Sequence, residues 1–138
     1  MILAVLLAMV HAQATDLSDN NWEIENFTFE GYRIAHYRRP TPESVEGGTT
    51  VNTQQLQRLI AAERPLLVDV LPLLYRHGRF IVEKPHEAIP GSYWLPNVGY
   101  GELLPEWERY LMDFLRDATR LDKDTPMVFY CTPDCWMS

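Results

Sequence analysis

Cys131 and Cys135 are the only thiols in a chain of 138 residues, and both lie close to its end. Cys131 directly follows Met127-Val128-Phe129-Tyr130, an apolar run of strand character, and Thr132-Pro133-Asp134 separates it from Cys135. A thiol at the carboxyl end of a buried strand sits on the sheet edge where open α/β folds bind ligands. It becomes a nucleophile when loop N–H groups and the start of a following helix favour its thiolate. Cys131 is therefore the expected reactive centre, with Cys135 as its neighbour or resolving thiol. A plain disulfide, common in exported chains, and a metal pair compete with this reading. The three-residue gap matches neither thioredoxin-like motifs nor most zinc knuckles, so spacing alone leaves the three open. No cofactor or metal is expected.

Anion-binding side chains are scarce. The net charge is −7 and no basic run exceeds Arg38-Arg39, which argues against nucleic acid. Arg76, His77, Arg79, Lys84 and His86 form the one basic concentration, between Leu71 and Glu87. On the loop side of a sheet such a cluster can hold an anion or lower a thiol pKa; as a solvated loop it does neither. Arg76 and His86 are the candidates taken from it. His36, Arg38 and Arg39 offer a second place where cations could rim an anionic site.

The elements that would position these residues follow from periodicity. The run Ile2–Val10 with Ala12-Gln13-Ala14 after it reads as a cleaved export signal, too short to span a bilayer, with mature protein expected from Thr15 and no membrane association after cleavage. Residues 15–50 read as an extension whose aromatics, Trp22/Ile24 and Phe27/Phe29 at period two among them, pack on the main domain. Gly47-Gly48 reads as a hinge. Thr53 is the expected N-cap of a helix to about Glu63, with Leu56, Leu59 and Ile60 on one face and Pro65 stopping it. Leu66–Val70 reads as a buried strand, in which Asp69 ties down a neighbouring loop by accepting backbone N–H bonds. Residues 71–87 read as irregular. A turn at Ile89–Ser92 delivers the short strand Tyr93–Pro96, a long amphipathic helix covers Glu102–Leu121, and Asp122–Thr125 turns into the final strand. Strands alternating with helices predict an α/β fold with a mainly parallel sheet and helices on both faces. An apolar content of 46% is enough for one such core.

Leu67-Val68-Asp69-Val70, His86-Glu87-Ala88-Ile89-Pro90-Gly91-Ser92 and Val128-Phe129-Tyr130-Cys131, in that order, resemble the rhodanese domain. That family has an Asp-Val strand end, a Gly-His-Ile-Pro-Gly-Ala turn and a strand leading into a catalytic cysteine loop. The Cys135-Trp136-Met137-Ser138 ending, His36-Tyr37-Arg38 and Ile89-Pro90-Gly91-Ser92-Tyr93-Trp94-Leu95-Pro96-Asn97 are similar to the CXXCW-motif proteins associated with catabolism dependent on pyrroloquinoline quinone. Those are exported rhodanese-like proteins found beside quinoprotein alcohol dehydrogenases. The resemblance covers roughly residues 29–138 and implies a periplasmic protein whose rhodanese-like domain occupies residues 51–138. The domain is expected to be truncated at its C-terminus, because the sequence stops where a helix should seat the cysteine loop.

The activity implied is sulfur transfer, with Cys131 carrying a persulfide and Cys135 able to resolve it, and Thr132, Asp134 and Trp136 of the loop around the substrate. The usual rhodanese loop reads Cys-x-x-Gly-x-Arg; here Asp134 replaces the glycine and Trp136 the arginine. An aspartate repels anions and a tryptophan cannot attract them, so thiosulfate is a poor expected donor. The partners implied are a small sulfur donor or thiol acceptor and a periplasmic quinoprotein dehydrogenase system. A thiol-disulfide redox or metal-delivery accessory, and a non-catalytic binding partner with a structural disulfide, are the alternatives.

Overall fold

The computed structural model describes residues 24–138. The expected export segment and the Trp22 half of the Trp22/Ile24 pair lie outside the described residues. In chain order the elements are β1 (Ser44–Val45), β2 (Gly48–Thr49), α1 (Thr53–Glu63), β3 (Leu66–Asp69), β4 (Leu74–Arg76), β5 (Arg79–Ile81), β6 (Tyr93–Trp94), α2 (Pro105–Thr119) and β7 (Met127–Tyr130). Three of the strands form a parallel sheet in the order β6-β3-β7. Helices and a small parallel sheet together make this an α/β arrangement, and no helix among the described residues is long and apolar enough to cross a membrane.

The helices start where backbone chemistry lets them. Asn52, not Thr53, caps α1: its side chain accepts the Gln55 N–H, and the Gln55 side chain accepts the Asn52 N–H in return. This reciprocal box satisfies two otherwise orphaned donors. Arg64 closes the helix in the left-handed conformation at φ 49°, ahead of Pro65. The second helix begins at Pro105 rather than Glu102, since a proline is pre-set for the first helical turn and lacks only an N–H that would have no partner there. Glu106 and Glu108 complement its N-terminal dipole and Arg116 its last turn.

Two segments differ from the sequence expectation. Residues 71–87 are not wholly irregular, because β4 and β5 pair antiparallel with Arg76 opposite Arg79. The two residues between them, His77 and Gly78, have φ 52° and 77°, the doubly positive pattern whose twist suits a two-residue hairpin. Gly47 and Gly48 likewise do not form a hinge: Val45 pairs with Gly48 across a tight turn in which Gly47 has φ 77°. The expected strand at Phe27/Phe29 reduces to one bridge, Phe27 to Arg33, across a turn, and Phe29 is fully exposed.

Register divides the sheet into two chemically different faces. Val68 pairs with Phe129 and Tyr93, and Asp69 pairs with Tyr130 and Trp94, so successive residues put these two sets on opposite sides. Val68, Val70, Leu95 and Val98 are the buried core, with Leu111 and Phe114 of α2, Phe129, Cys131 and Met137 packed against it. The stripe of α2 therefore covers the face from which Cys131 emerges. The other face carries Leu67 and Val128 and is polar only at its carboxyl end. The wholly buried Asp69 accepts the Leu71 N–H at 2.9 Å and meets His86 Nε2 at 2.5 Å, while the Tyr130 hydroxyl bonds Ser92 Oγ at 2.7 Å. Asp69 thus ties down the loop after β3, as its position suggested, and also gains a histidine.

Candidate functional site

The cysteine loop begins where the ladder of the sheet ends. Val70 N–H donates to the Tyr130 carbonyl at 2.9 Å, which fixes the last turn of backbone before Cys131. Beyond it, the loop is held by the N-terminal extension, with one local bond from the Ser138 hydroxyl to the Cys135 carbonyl at 3.0 Å. Arg38 and Cys135 form an antiparallel bridge, flanked by Arg39 N–H to the Asp134 carbonyl at 3.0 Å and Trp136 N–H to the Tyr37 carbonyl at 2.9 Å. Trp136 Nε1 adds a bond to the Pro40 carbonyl at 2.9 Å. Residues 37–40 are thereby a strap across the loop, and the extension's packing role has a specific target.

The strap is itself braced. Arg33 is buried and lays its guanidinium 5.1 Å from the Phe27 ring centre and 4.8 Å from that of Trp136. Its Nε donates to the carbonyls of Ala35 and His36, turning the chain into the strap. Gly101 and Gly99 make room for this assembly, because a Cβ on Gly101 would collide with the Arg33 backbone and one on Gly99 with the Met137 backbone. Gly101 N–H also donates to the Tyr37 hydroxyl at 3.2 Å.

Within this frame the two sulfurs lie 2.7 Å apart, Cys135 buried and Cys131 half-buried, both as free thiols. Thr132 Oγ1 is 3.6 Å from the Cys131 sulfur. Both thiols open into a cavity of about 210 Å³ whose wall is completed by Tyr37, Arg38, Leu71, Pro72, Thr132 and Met137. A larger and more open groove of about 560 Å³ shares Pro72 with it and runs along Tyr75, Tyr100 and Trp107. It holds no thiol, so chemistry and not size marks the smaller cavity as the site.

The sequence candidates distribute unevenly over this geometry. Cys131, Cys135 and Thr132 come together in the cavity. Asp134 and Trp136 do not line it: Asp134 takes a left-handed turn at φ 53° and gives its carbonyl to the strap, and the Trp136 ring packs edge-on to Phe27. His86 packs on Trp94 and Asp69 on the opposite face of the sheet from Cys131, and Arg76 sits exposed on the β4–β5 hairpin. Neither lines the cavity. Arg38 does, as one member of the cationic trio that the extension offered. Tyr37 had no chemical signal in the sequence, since its place depends on the long-range pairing with Trp136, and Met137, two residues past Cys135, carries no group that marks it for this chemistry. Among the described residues no three His, Cys, Asp or Glu side chains converge as metal ligands.

The surroundings do not give Cys131 the thiolate that its loop position suggested. Burial pushes its thiol from 9.0 up to about 11, the Cys135 sulfur adds to the shift, and bonding to Thr132 offsets part of it. At neutral pH a rise of that size lowers the thiolate fraction about a hundredfold, while the more basic thiolate is intrinsically about eightfold more nucleophilic, leaving a net loss of about tenfold. Iodoacetamide should therefore label Cys131 about tenfold more slowly at pH 7 than a free cysteine, with the rate still climbing above pH 9. A rate profile that levels off below pH 8 would show a thiolate-stabilising site instead. The unfolded thiol ionises from pH 9.0 while the folded one keeps its proton to about 11, so this group lowers stability as pH rises through that window and not below it.

No similarity to a family model, to a curated protein or to a solved structure was found for this chain.

Proposed function

We propose that this chain is a rhodanese-like, periplasmic sulfur carrier, in which Cys131 takes up a sulfane sulfur and Cys135 or an external thiol discharges it. The observation that carries the reading is the pair of free sulfurs 2.7 Å apart in one cavity at the carboxyl end of a parallel sheet. In the loading step the Cys131 sulfur attacks the outer sulfur of a donor R–S–SH. The donor's S–S bond breaks, R–S⁻ leaves with the electron pair and takes up the proton that Cys131 lost, and Cys131 becomes Cys–S–SH. In discharge the Cys135 thiolate attacks the Cys131 sulfur, a Cys131–Cys135 disulfide forms, and HS⁻ leaves; the two cysteines are oxidised and the sulfane sulfur is reduced. An acceptor thiolate that attacks the outer sulfur instead carries it away and returns Cys131 as a thiol.

The raised thiol pKa is compatible with this work. A hundredfold lower thiolate fraction is small beside the rate gain of 10⁵-fold or more available when a donor is held against the nucleophile. Bulk reagents lack that advantage, so the site favours donors that fit the cavity. Quinoprotein alcohol oxidation remains the proposed setting, on the resemblance alone.

Incubation of the reduced chain with a polysulfide donor tests the reading. In Cys135→Ser, which cannot close the disulfide, the expected result is a gain of one sulfur atom by mass and release of thiocyanate on treatment with cyanide; in wild type it is release of sulfide as the disulfide closes. The proximity of the sulfurs also favours a second reading, a thiol-disulfide accessory. If Cys135→Ser gains no sulfur, while wild type reversibly loses two thiols to a disulfide without releasing sulfide, the second reading replaces the first.

A further inference from the structure

We propose that the open groove along Tyr75, Tyr100 and Trp107 is a binding site for an arginine side chain carried on a partner polypeptide, with the guanidinium at Glu106 and the neighbouring peptide carbonyl at Asn97. The site is separate from the sulfur chemistry, since no thiol lines this groove. Its volume of about 560 Å³ is that of a small-ligand site.

The aromatic wall is held rigid before any ligand arrives. Tyr75 meets Phe80 and Trp107 edge-on, with ring centres 5.1 Å and 4.9 Å away, and Phe80 stacks on Trp107 at 5.6 Å. Tyr100 is braced in the same way by Tyr37 at 5.7 Å. Fixed rings lose little freedom on binding, and Tyr75 and Tyr100 still expose 43% and 38% of their surface. An open ring face attracts a cation, and the flat guanidinium lies on it best.

The polar groups of the wall select further. Glu106 is the one charged side chain that lines the groove, and it has no ion-pair partner among the described residues. An apolar ligand would strip water from that carboxylate with nothing in return, whereas a guanidinium offers it a fork of donors. Asn97 is 5% exposed, and its Oδ1 accepts the Leu73 N–H at 3.0 Å. Its amide N–H₂ has no acceptor among the described residues, so the ligand has to bring one. A guanidinium carries donors only, but the peptide group behind it carries a carbonyl. One side chain with its flanking backbone therefore answers both Glu106 and Asn97, and the groove is long enough to take both parts.

Titration of the full chain with acetyl-alanyl-arginyl-alanine amide, followed by nuclear magnetic resonance, tests the site. Shifts should gather on the Trp107 indole N–H and the Asn97 side-chain amide. The citrulline counterpart, neutral and of the same shape, should bind about tenfold more weakly. Glu106→Gln, a change on the exposed surface of α2, should lower affinity for the arginyl peptide to about that level and leave affinity for the citrulline peptide unchanged. Equal affinity of wild type for the two peptides, equal loss of both in Glu106→Gln, or shifts centred on Asp113 and Asp117 instead overturns the proposal. Methylguanidinium tests the role of the backbone: it should bind at least about tenfold more weakly than the arginyl peptide, and equal affinity overturns the assignment to a polypeptide. A lysyl peptide that binds as tightly as the arginyl one overturns the preference for a guanidinium.

Discussion

Cys131→Ser is expected to take up no sulfane sulfur, whereas Cys135→Ser is expected to take up one atom and keep it. Both outcomes follow from where the two sulfurs lie. Cys131 is half-buried at the strand end, within the cavity and within reach of its Thr132 hydroxyl neighbour, while Cys135 is 4% exposed and locked in the bridge with Arg38. A donor entering the cavity meets Cys131 first. Cys135 needs only to travel from 2.7 Å to bonding distance once Cys131 has been converted, which makes it the resolving group. Mass spectrometry after treatment with a polysulfide donor reads both variants. In Cys135→Ser the persulfide should survive for far longer than in wild type, where disulfide closure expels the sulfur as sulfide. Loading of Cys131→Ser at the wild-type rate would reverse the assignment, and equal persulfide lifetimes in wild type and Cys135→Ser would remove the resolving role. Serine is nearly isosteric with cysteine, so loss of loading would reflect loss of the nucleophile and not of the fold.

The parts of the fold that local chemistry determines were legible in the residues. Leu66–Val70 and Met127–Tyr130 announce buried strands by their apolar runs, and the three-four spacing from Leu104 to Ala118 announces α2. The position of Cys131 at a strand end was legible because Met127–Tyr130 runs directly into it. The β4–β5 hairpin was not, because its turn rests on His77 adopting a positive φ, which histidine does less readily than the asparagine or aspartate that usually precedes the glycine. Trp136 and His86 were misplaced for a different reason. Trp136 looked like a substitute for a substrate-binding arginine, yet its ring is spoken for by Phe27, Arg33 and the Pro40 carbonyl, contacts made to residues about a hundred positions away. His86 belonged to a basic cluster by sequence, but the path of the following turn carries it to Asp69 on the far face. Arg38 reached the cavity by the same kind of long-range pairing, here 95 residues from Pro133. Periodicity reports which face of an element is apolar; it does not report which loop another loop will cross.

Replacement of Asp69 should have the largest effect on stability of any single change in the described core. Its carboxylate is fully buried, with Oδ2 on His86 Nε2 and Oδ1 on Leu71 N–H, and its own carbonyl accepts the Leu95 N–H. In Asp69→Ala the last of these survives, because it belongs to the backbone, but His86 and Leu71 lose their acceptor inside the protein. Leaving a buried or half-buried donor without its acceptor costs about 1–3 kcal/mol for each of the two, a large share of the roughly 5–15 kcal/mol that holds a small domain together. Asp69→Asn keeps the shape and an acceptor for Leu71, so about 1–2 kcal/mol is expected from it. Urea unfolding measures both, as a lowered midpoint at unchanged slope. The double variant Asp69→Ala/His86→Ala should lose less than the sum of its singles, since His86 has no carboxylate left to miss. Additive losses, or a cost below about 1 kcal/mol for Asp69→Ala, would mean that the pair is incidental. The effect should also reach the thiols. Leu71 lines the cysteine cavity and its N–H is fixed by Asp69, so loosening that residue should open the cavity to solvent and relieve the burial that holds the Cys131 proton. Asp69→Ala should therefore label with iodoacetamide at pH 7 faster than wild type while still folded, a result that links the polar face of the sheet to the reactivity of the sulfur on the other.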